Sequence, residues 1–129
     1  MDLARQLRYD ERGYIPAVIQ CADTGRVLTL CYMNEDAVRK TLETGYVHVF
    51  RRSRGKLMKK GETSGMVQKV VSVAPDCEDN SLLVRVKQTG AGCHMGYYSC
   101  YYRVLGEGGD LRVCEERVFD PSEVYGKEK

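Results

Sequence analysis

Ile15-Pro16-Ala17-Val18-Ile19-Gln20, then Arg26-Val27-Leu28-Thr29-Leu30-Cys31-Tyr32-Met33 and Asn34, is the stretch that decides the fold class. Both apolar runs read as strands, and Asp23-Thr24-Gly25 between them supplies a turn. Asn34 then offers a side-chain oxygen suited to capping a helix from Glu35 to Thr44, and Gly45 stands where that helix should stop. Ala37, Val38, Thr41 and Leu42 give the helix one modest apolar stripe. Two strands followed by a helix, with more strands beyond, place the chain among α+β folds.

Working outward, Val47 to Phe50 is short and β-like. Arg51 to Gly65 carries three glycines and no hydrophobic period, so it is expected to be a long loop, and long loops in compact domains are often functional. Val67 to Val73 and Leu82 to Val86 read as strands flanking an acidic turn, Asp76 to Asn80. Tyr97 to Leu105 and Leu111 to Phe119 are expected to be the last two strands, with Gly106 to Asp110 as their turn. The tail from Asp120 to Lys129 is polar and expected to fray. The expectation is a single β-rich α+β domain over residues 1–129 with one clear helix and an extra C-terminal strand at 111–119.

The chain has 129 residues, enough to bury a core without staples. Its 43% hydrophobic and 29% charged residues are ordinary for a soluble globular protein. The N-terminus forms no signal-peptide core, and no apolar run approaches membrane-spanning length, which points to the cytoplasm. In a reducing compartment the six cysteines are expected to be thiols rather than disulfides. The net charge of +2 conceals a cluster: six basic residues and no acidic one lie between Arg51 and Lys60. They occupy one glycine-rich loop rather than a face, so a phosphate-bearing small molecule suits them better than nucleic acid or a membrane.

Cys77, Cys93 and Cys100 are candidates for a zinc site. Three thiolates leave one tetrahedral position free for the chemistry of a hydrolase. The spacing leaves this open, because six residues separate Cys93 from Cys100 where zinc knuckles commonly have two, and free cysteines are often small buried hydrophobes. For Cys21, Cys31 and Cys114, inside apolar strand patterns, burial is the better account. If Asp76 to Asn80 is extended, Asp76, Glu78 and Asn80 share one face and Cys77 the other, so the segment could hold Mg²⁺ by oxygen and zinc by sulfur; an acidic surface turn is the alternative. Lys60-Gly61-Glu62-Thr63-Ser64-Gly65 offers free backbone N–H groups, two hydroxyls and a lysine, which suits a phosphate or ribose cradle or else a plain hairpin loop. His94, beside a candidate ligand, could serve as general acid or base, whereas His48 reads as a structural residue.

These segments, in this order, resemble phosphoribosyl-AMP cyclohydrolase, an enzyme family of histidine biosynthesis. The resemblance is carried by Ile15-Pro16-Ala17, Tyr32-Met33-Asn34, Thr41-Leu42-Glu43-Thr44-Gly45, Ser53-Arg54-Gly55-Lys56-Leu57, Lys60 to Gly65, Gln68-Lys69-Val70, Asp76-Cys77, and Cys93-His94-Met95-Gly96 with Ser99-Cys100-Tyr101-Tyr102-Arg103. It covers about residues 13–103. The resemblance implies an intertwined homodimer whose active sites form between subunits, Cys77 coming from one chain and Cys93 and Cys100 from the other. It implies zinc-dependent hydrolysis of the N1–C6 bond of the adenine ring in N1-(5-phosphoribosyl)-AMP. In that scheme His94 carries the proton, Asp76, Glu78 and Asn80 are candidates for Mg²⁺, and Arg52, Arg54, Lys60, Glu62, Thr63 and Ser64 bind the phosphorylated nucleotide.

Three departures from the family pattern stand out. The usual Asp-Cys-Asp-x-Asp run is Asp76-Cys77-Glu78-Asp79-Asn80 here, with a longer arm at Glu78 and one charge fewer at Asn80. The usual Leu-Trp is Leu57-Met58, and Arg51 replaces a typical serine. All three lie where substrate or a second metal would be read. They therefore keep a second expectation open, a divergent zinc cyclohydrolase or deaminase acting on another purine-like nucleotide. A non-catalytic zinc or nucleic-acid-binding module is the third.

Overall fold

The computed structural model describes residues 2–51, 55–61, 65–93 and 95–119. A single helical turn, α1 (Leu3–Gln6), precedes the two strands read from the sequence, β1 (Ile15–Cys21) and β2 (Val27–Met33). Helix α2 spans Glu35–Thr44 as expected. The Asn34 side chain accepts from the Ala37 N–H at 2.9 Å, and Gly45 closes the helix with a left-handed φ of 78°. Such a cap is worth about 1 kcal/mol over alanine.

Four strands form the main sheet in the order β2-β1-β6-β5, where β5 is Gln68–Pro75 and β6 is Leu82–Gln88. β1 pairs antiparallel with β2 and parallel with β6, while β5 and β6 form an antiparallel hairpin. Period-two alternation buries Ile15, Ala17, Ile19 and Cys21 of β1 on one face, with Leu82, Val84 and Val86 of β6 beside them. Ala37 and Val38 of α2 are fully or almost fully buried in the same cluster. Burying each of the larger aliphatic side chains is worth about 1.5–3 kcal/mol. Leu42, on the expected stripe, is 43% exposed.

Thr41 is the polar member of that stripe. Its hydroxyl donates to the Ala37 carbonyl at 2.8 Å and accepts from the His48 N–H at 2.9 Å, pinning α2 to the next strand, β3 (His48–Arg51). His48 is buried, and its Nδ1–H donates to the Tyr46 carbonyl at 2.8 Å, so it is the structural histidine the sequence indicated.

The stretch Arg51 to Gly65, expected as loop, contains a strand. Lys56–Lys59 forms β4 and pairs antiparallel with β3, from His48 opposite Lys59 to Arg51 opposite Lys56. Lysines hid the pattern; their stems can line a strand, and the Lys59 ammonium sits 4.5 Å from the Tyr46 ring centroid. Both C-terminal strands are shorter than expected: β7 is Arg103–Leu105 and β8 is Leu111–Val113. The remainder of each segment bonds to the other outside a regular ladder, as described below. No described helix is long and apolar enough to cross a membrane. The architecture is β-rich with few helices, an α+β fold.

Candidate active site

The loop after β6 is folded back on itself. The Gln88 side-chain amide donates to the carbonyls of Gly90 (3.2 Å) and Tyr98 (2.8 Å). Gly92 N–H reaches Tyr98 O at 3.1 Å and Cys93 N–H reaches Tyr97 O at 3.1 Å, while Gly96 N–H turns back to Cys93 O at 3.0 Å. A side chain at Gly92 would place Cβ 2.5 Å from the Gln88 amide oxygen, so the close approach needs glycine. Gln88 also accepts from Gln68 at 2.6 Å; Gln68 is 1% exposed and its own Oε1 lacks a partner. Farther along, Cys100 N–H donates to Leu28 O at 2.7 Å and the fully buried Ser99 hydroxyl donates to Val27 O at 2.8 Å. The loop is thereby stitched to the start of β2.

This stitching brings Cys93 and Cys100 together. The Cys93 thiol is buried and accepts the Met95 N–H at 3.4 Å. Desolvation pushes the Cys100 thiol above its ordinary value; the Thr29 hydroxyl lowers it, Cys93 beside it raises it further, and the Lys60 ammonium pulls it down. Burial lifts Cys31 to about 12, opposed by Lys60 and reinforced by Cys100. Two thiols next to each other, with a third sulfur and a lysine nearby, cannot all ionise without added positive charge. Sulfur is the donor that thiophilic cations take, and Cys93 and Cys100 supply two such donors.

Lys60 is thus drawn to the cysteines. It follows β4, where its backbone N–H is anchored on Val47 O at 2.9 Å. Gly61 comes next with φ of 84°; a Cβ there would lie 2.4 Å from the Met66 carbonyl oxygen, so the chain tolerates only glycine. Gly65 N–H closes this tight loop onto Gly61 O at 2.7 Å. Arg52, Arg54, Glu62, Thr63, Ser64 and His94 lie outside the described residues.

Cys77 is elsewhere. It is exposed in the turn between β5 and β6, near the Leu82 end of β6, whereas Cys93 follows the Gln88 end. No three metal-binding side chains among the described residues converge within one chain. The 76–80 segment is a turn and not extended, so the expected division of alternate residues between two faces does not arise. Asp76 Oδ1 accepts the N–H groups of Asn80 (2.9 Å) and Ser81 (3.2 Å), and Asp79 takes a φ of 59° that an aspartate can adopt. Desolvation opposes ionisation of Asp76, but those N–H groups hold its carboxyl below the usual carboxylate range. The Asn80 amide, oriented with nitrogen toward Asp76, donates to both carboxylate oxygens at 3.1 and 2.7 Å. In this turn the Asp76 carboxylate is occupied by internal donors.

Cys114, expected to be buried like Cys21 and Cys31, is exposed because it follows the short edge strand β8. Sequence reasoning missed Thr29 and read Cys31 only as a buried thiol, since their place beside the cysteine loop emerges only from the pairing that positions β2. It also missed Arg26 and Glu115, which touch that loop from distant positions. A signal for Glu115 existed, an acidic side chain interrupting an apolar strand pattern.

The phosphoribosyl-AMP cyclohydrolase family profile matches residues 29–102, a span that holds Lys60, Cys77, Cys93 and Cys100. A protein of Pelotomaculum thermopropionicum named phosphoribosyl-AMP cyclohydrolase is 50% identical over 94% of this chain and 94% of its own length. The chain belongs to the phosphoribosyl-AMP cyclohydrolase family. Another cyclohydrolase of that name, from Chlorobium phaeovibrioides, is 43% identical over 94% of this chain and 88% of its own. A histidine biosynthesis bifunctional protein of Thermoanaerobacter pseudethanolicus is 43% identical over 98% of this chain, which spans 58% of that longer protein.

Proposed function

We propose that the protein hydrolyses the adenine ring of N1-(5-phosphoribosyl)-AMP in histidine biosynthesis. The observation that carries this is the 50% identity to a phosphoribosyl-AMP cyclohydrolase over nearly the whole of both chains. The clustering of Cys93, Cys100 and Lys60 supports it by giving that kinship a chemical centre.

Cys93 and Cys100 of one subunit would hold zinc together with Cys77 of a second. The exposure of Cys77 and its separation from the other two within one chain favour a homodimer with shared sites. Zinc would supply Lewis acidity, which makes water a competent nucleophile near neutral pH. In the reaction, water adds at C6, the C6–N1 bond breaks, oxygen remains on C6 as an amide carbonyl, and a proton passes to N1. His94, next to Cys93 in sequence, would move that proton. Lys60 would offer charge to a phosphate, and Arg52, Arg54, Glu62, Thr63 and Ser64, its neighbours in sequence, would complete the substrate contacts. Asp76, Glu78 and Asn80 could take Mg²⁺ if the Asn80 amide turned its oxygen outward and freed Asp76 Oδ2, the backbone N–H groups keeping to Oδ1.

Incubation of the zinc-loaded protein with N1-(5-phosphoribosyl)-AMP should show ring opening by absorbance. A folded, metal-loaded protein without turnover would sink the proposal. A second reading, action on another purine-like nucleotide, draws on Met58, which pairs with Val49 in the β3–β4 hairpin. There a flexible thioether replaces the family's flat aromatic. Faster turnover of a different nucleotide would favour it.

A further inference from the structure

The segment Cys114 to Phe119 lies beyond the residues matched by the family profile, yet it runs back along the cysteine loop. Cys114 N–H donates to Tyr102 O at 2.7 Å, and Val118 N–H donates to Gly96 O at 2.6 Å. Between them Arg117 forms an antiparallel bridge with Tyr97 and stands 5.5 Å over its ring. Tyr97 stacks on Tyr102 with centroids 3.8 Å apart and planes within 7°. The central contact is Glu115. Its Oε1 accepts the Ser99 N–H at 2.9 Å, and its Oε2 accepts from Arg26 at 3.1 Å. Arg26, also outside the matched residues, donates to the Tyr101 carbonyl at 2.9 Å as well.

Every backbone N–H around Cys100 is accounted for in this way. Ser99 N–H goes to Glu115, Cys100 N–H to Leu28 O, and Tyr101 N–H to the Ser99 hydroxyl at 2.9 Å. Ser99 is fully buried, so removing the Glu115 carboxylate deprives its N–H of its acceptor at a place only partly open to water. The cheapest relief is movement of the backbone that carries Cys100.

We propose that Glu115, oriented by Arg26, is a positioning residue for Cys100, and that the C-terminal segment is a strap holding the Cys93–Cys100 loop ready for its metal. The proposal rests on the zinc reading for its purpose, though not for its geometry. Glu115→Gln keeps an oxygen for Ser99 N–H, whereas Glu115→Ala removes it.

Amide hydrogen exchange of the metal-free protein should therefore quicken about tenfold or more in residues 96–102 of E115A, with β1 unchanged and E115Q close to wild type. Zinc Kd, measured by competition with a chromophoric chelator, should weaken about 10–100-fold in E115A and within about threefold in E115Q. R26A should shift both measurements in the same direction by less. Wild-type exchange in 96–102 together with wild-type zinc affinity in E115A would overturn the proposal. So would equal losses in E115A and E115Q with exchange rising uniformly across β1 and β6, which would mark Glu115 as a general fold stabiliser. Should wild type bind no zinc, the zinc reading fails and the exchange result alone decides whether the strap holds the loop.

Discussion

The two cysteine-bearing segments of this chain are built in opposite ways. The Cys93–Cys100 loop is bound to β2, to β6 through Gln88, and to the C-terminal segment, and its sulfurs sit among Thr29, Cys31 and Lys60. The Cys77 turn is exposed, and the donors within it satisfy its one engaged carboxylate. One segment is preorganised inside the chain, and the other is a surface feature that, in the proposed dimer, would gain its meaning only against a second subunit.

Breaking either half should remove the activity, by the same amount despite their different surroundings. Cys100→Ser and Cys77→Ser should each lose stoichiometric zinc by metal analysis and at least about 10³-fold in kcat/KM. Mixing the two inactive variants under conditions of subunit exchange sharpens the comparison. Random pairing restores one intact site in half of the dimers, so about a quarter of wild-type activity should return. No recovery would place Cys77 outside the site.

Lys60→Met tests the preorganised half without touching sulfur. A drop of about 10²-fold in kcat/KM, with zinc content unchanged, is expected if the ammonium meets substrate. Ile19→Ala opens a cavity in the core beneath the main sheet's buried face and should cost about 2–5 kcal/mol by denaturant unfolding.

The smallest effect belongs to the turn. Asp76 has its carboxyl held below the ordinary value of 3.8 in the folded chain, so the stability it contributes is present above that value and fades as pH falls through the lowered one. Asp76→Asn should therefore flatten the loss of thermal stability as pH falls below the ordinary carboxylate value of 3.8, while weakening the protein slightly at pH 7. An unchanged acid limb would show that the turn contributes nothing there.

Much of this was legible in the residues. Asn34 and Gly45 marked both ends of α2 because capping chemistry is local, and the alternation of β1 gave the core face directly. The kinship with cyclohydrolases, visible in the ordered blocks around Lys60, Cys77 and Cys93, stands on the comparisons. β4 escaped notice because its lysines masked a strand whose partner, β3, decides its existence. The places of Thr29, Cys31, Arg26 and Glu115 beside the loop were invisible for a related reason. Their importance comes from contacts such as Arg26–Glu115, 89 residues apart, which no local pattern encodes.

The parallel seam between β1 and β6 has a consequence for how the chain is made. β1–β2 and β5–β6 can each close as a local hairpin, but Ala17 meets Leu82 and Cys21 meets Val86 only after a long intervening segment is brought round. Loop-closure entropy makes such non-local pairing the slow step. The Cys93–Cys100 loop can fold back locally, but its anchorage on β2, through the Cys100 N–H and the Leu28 carbonyl, waits for that seam. A nascent chain therefore carries both thiols on an unanchored loop until the seam forms, and the rate at which it zips sets how long they stand open to oxidation or to the wrong metal.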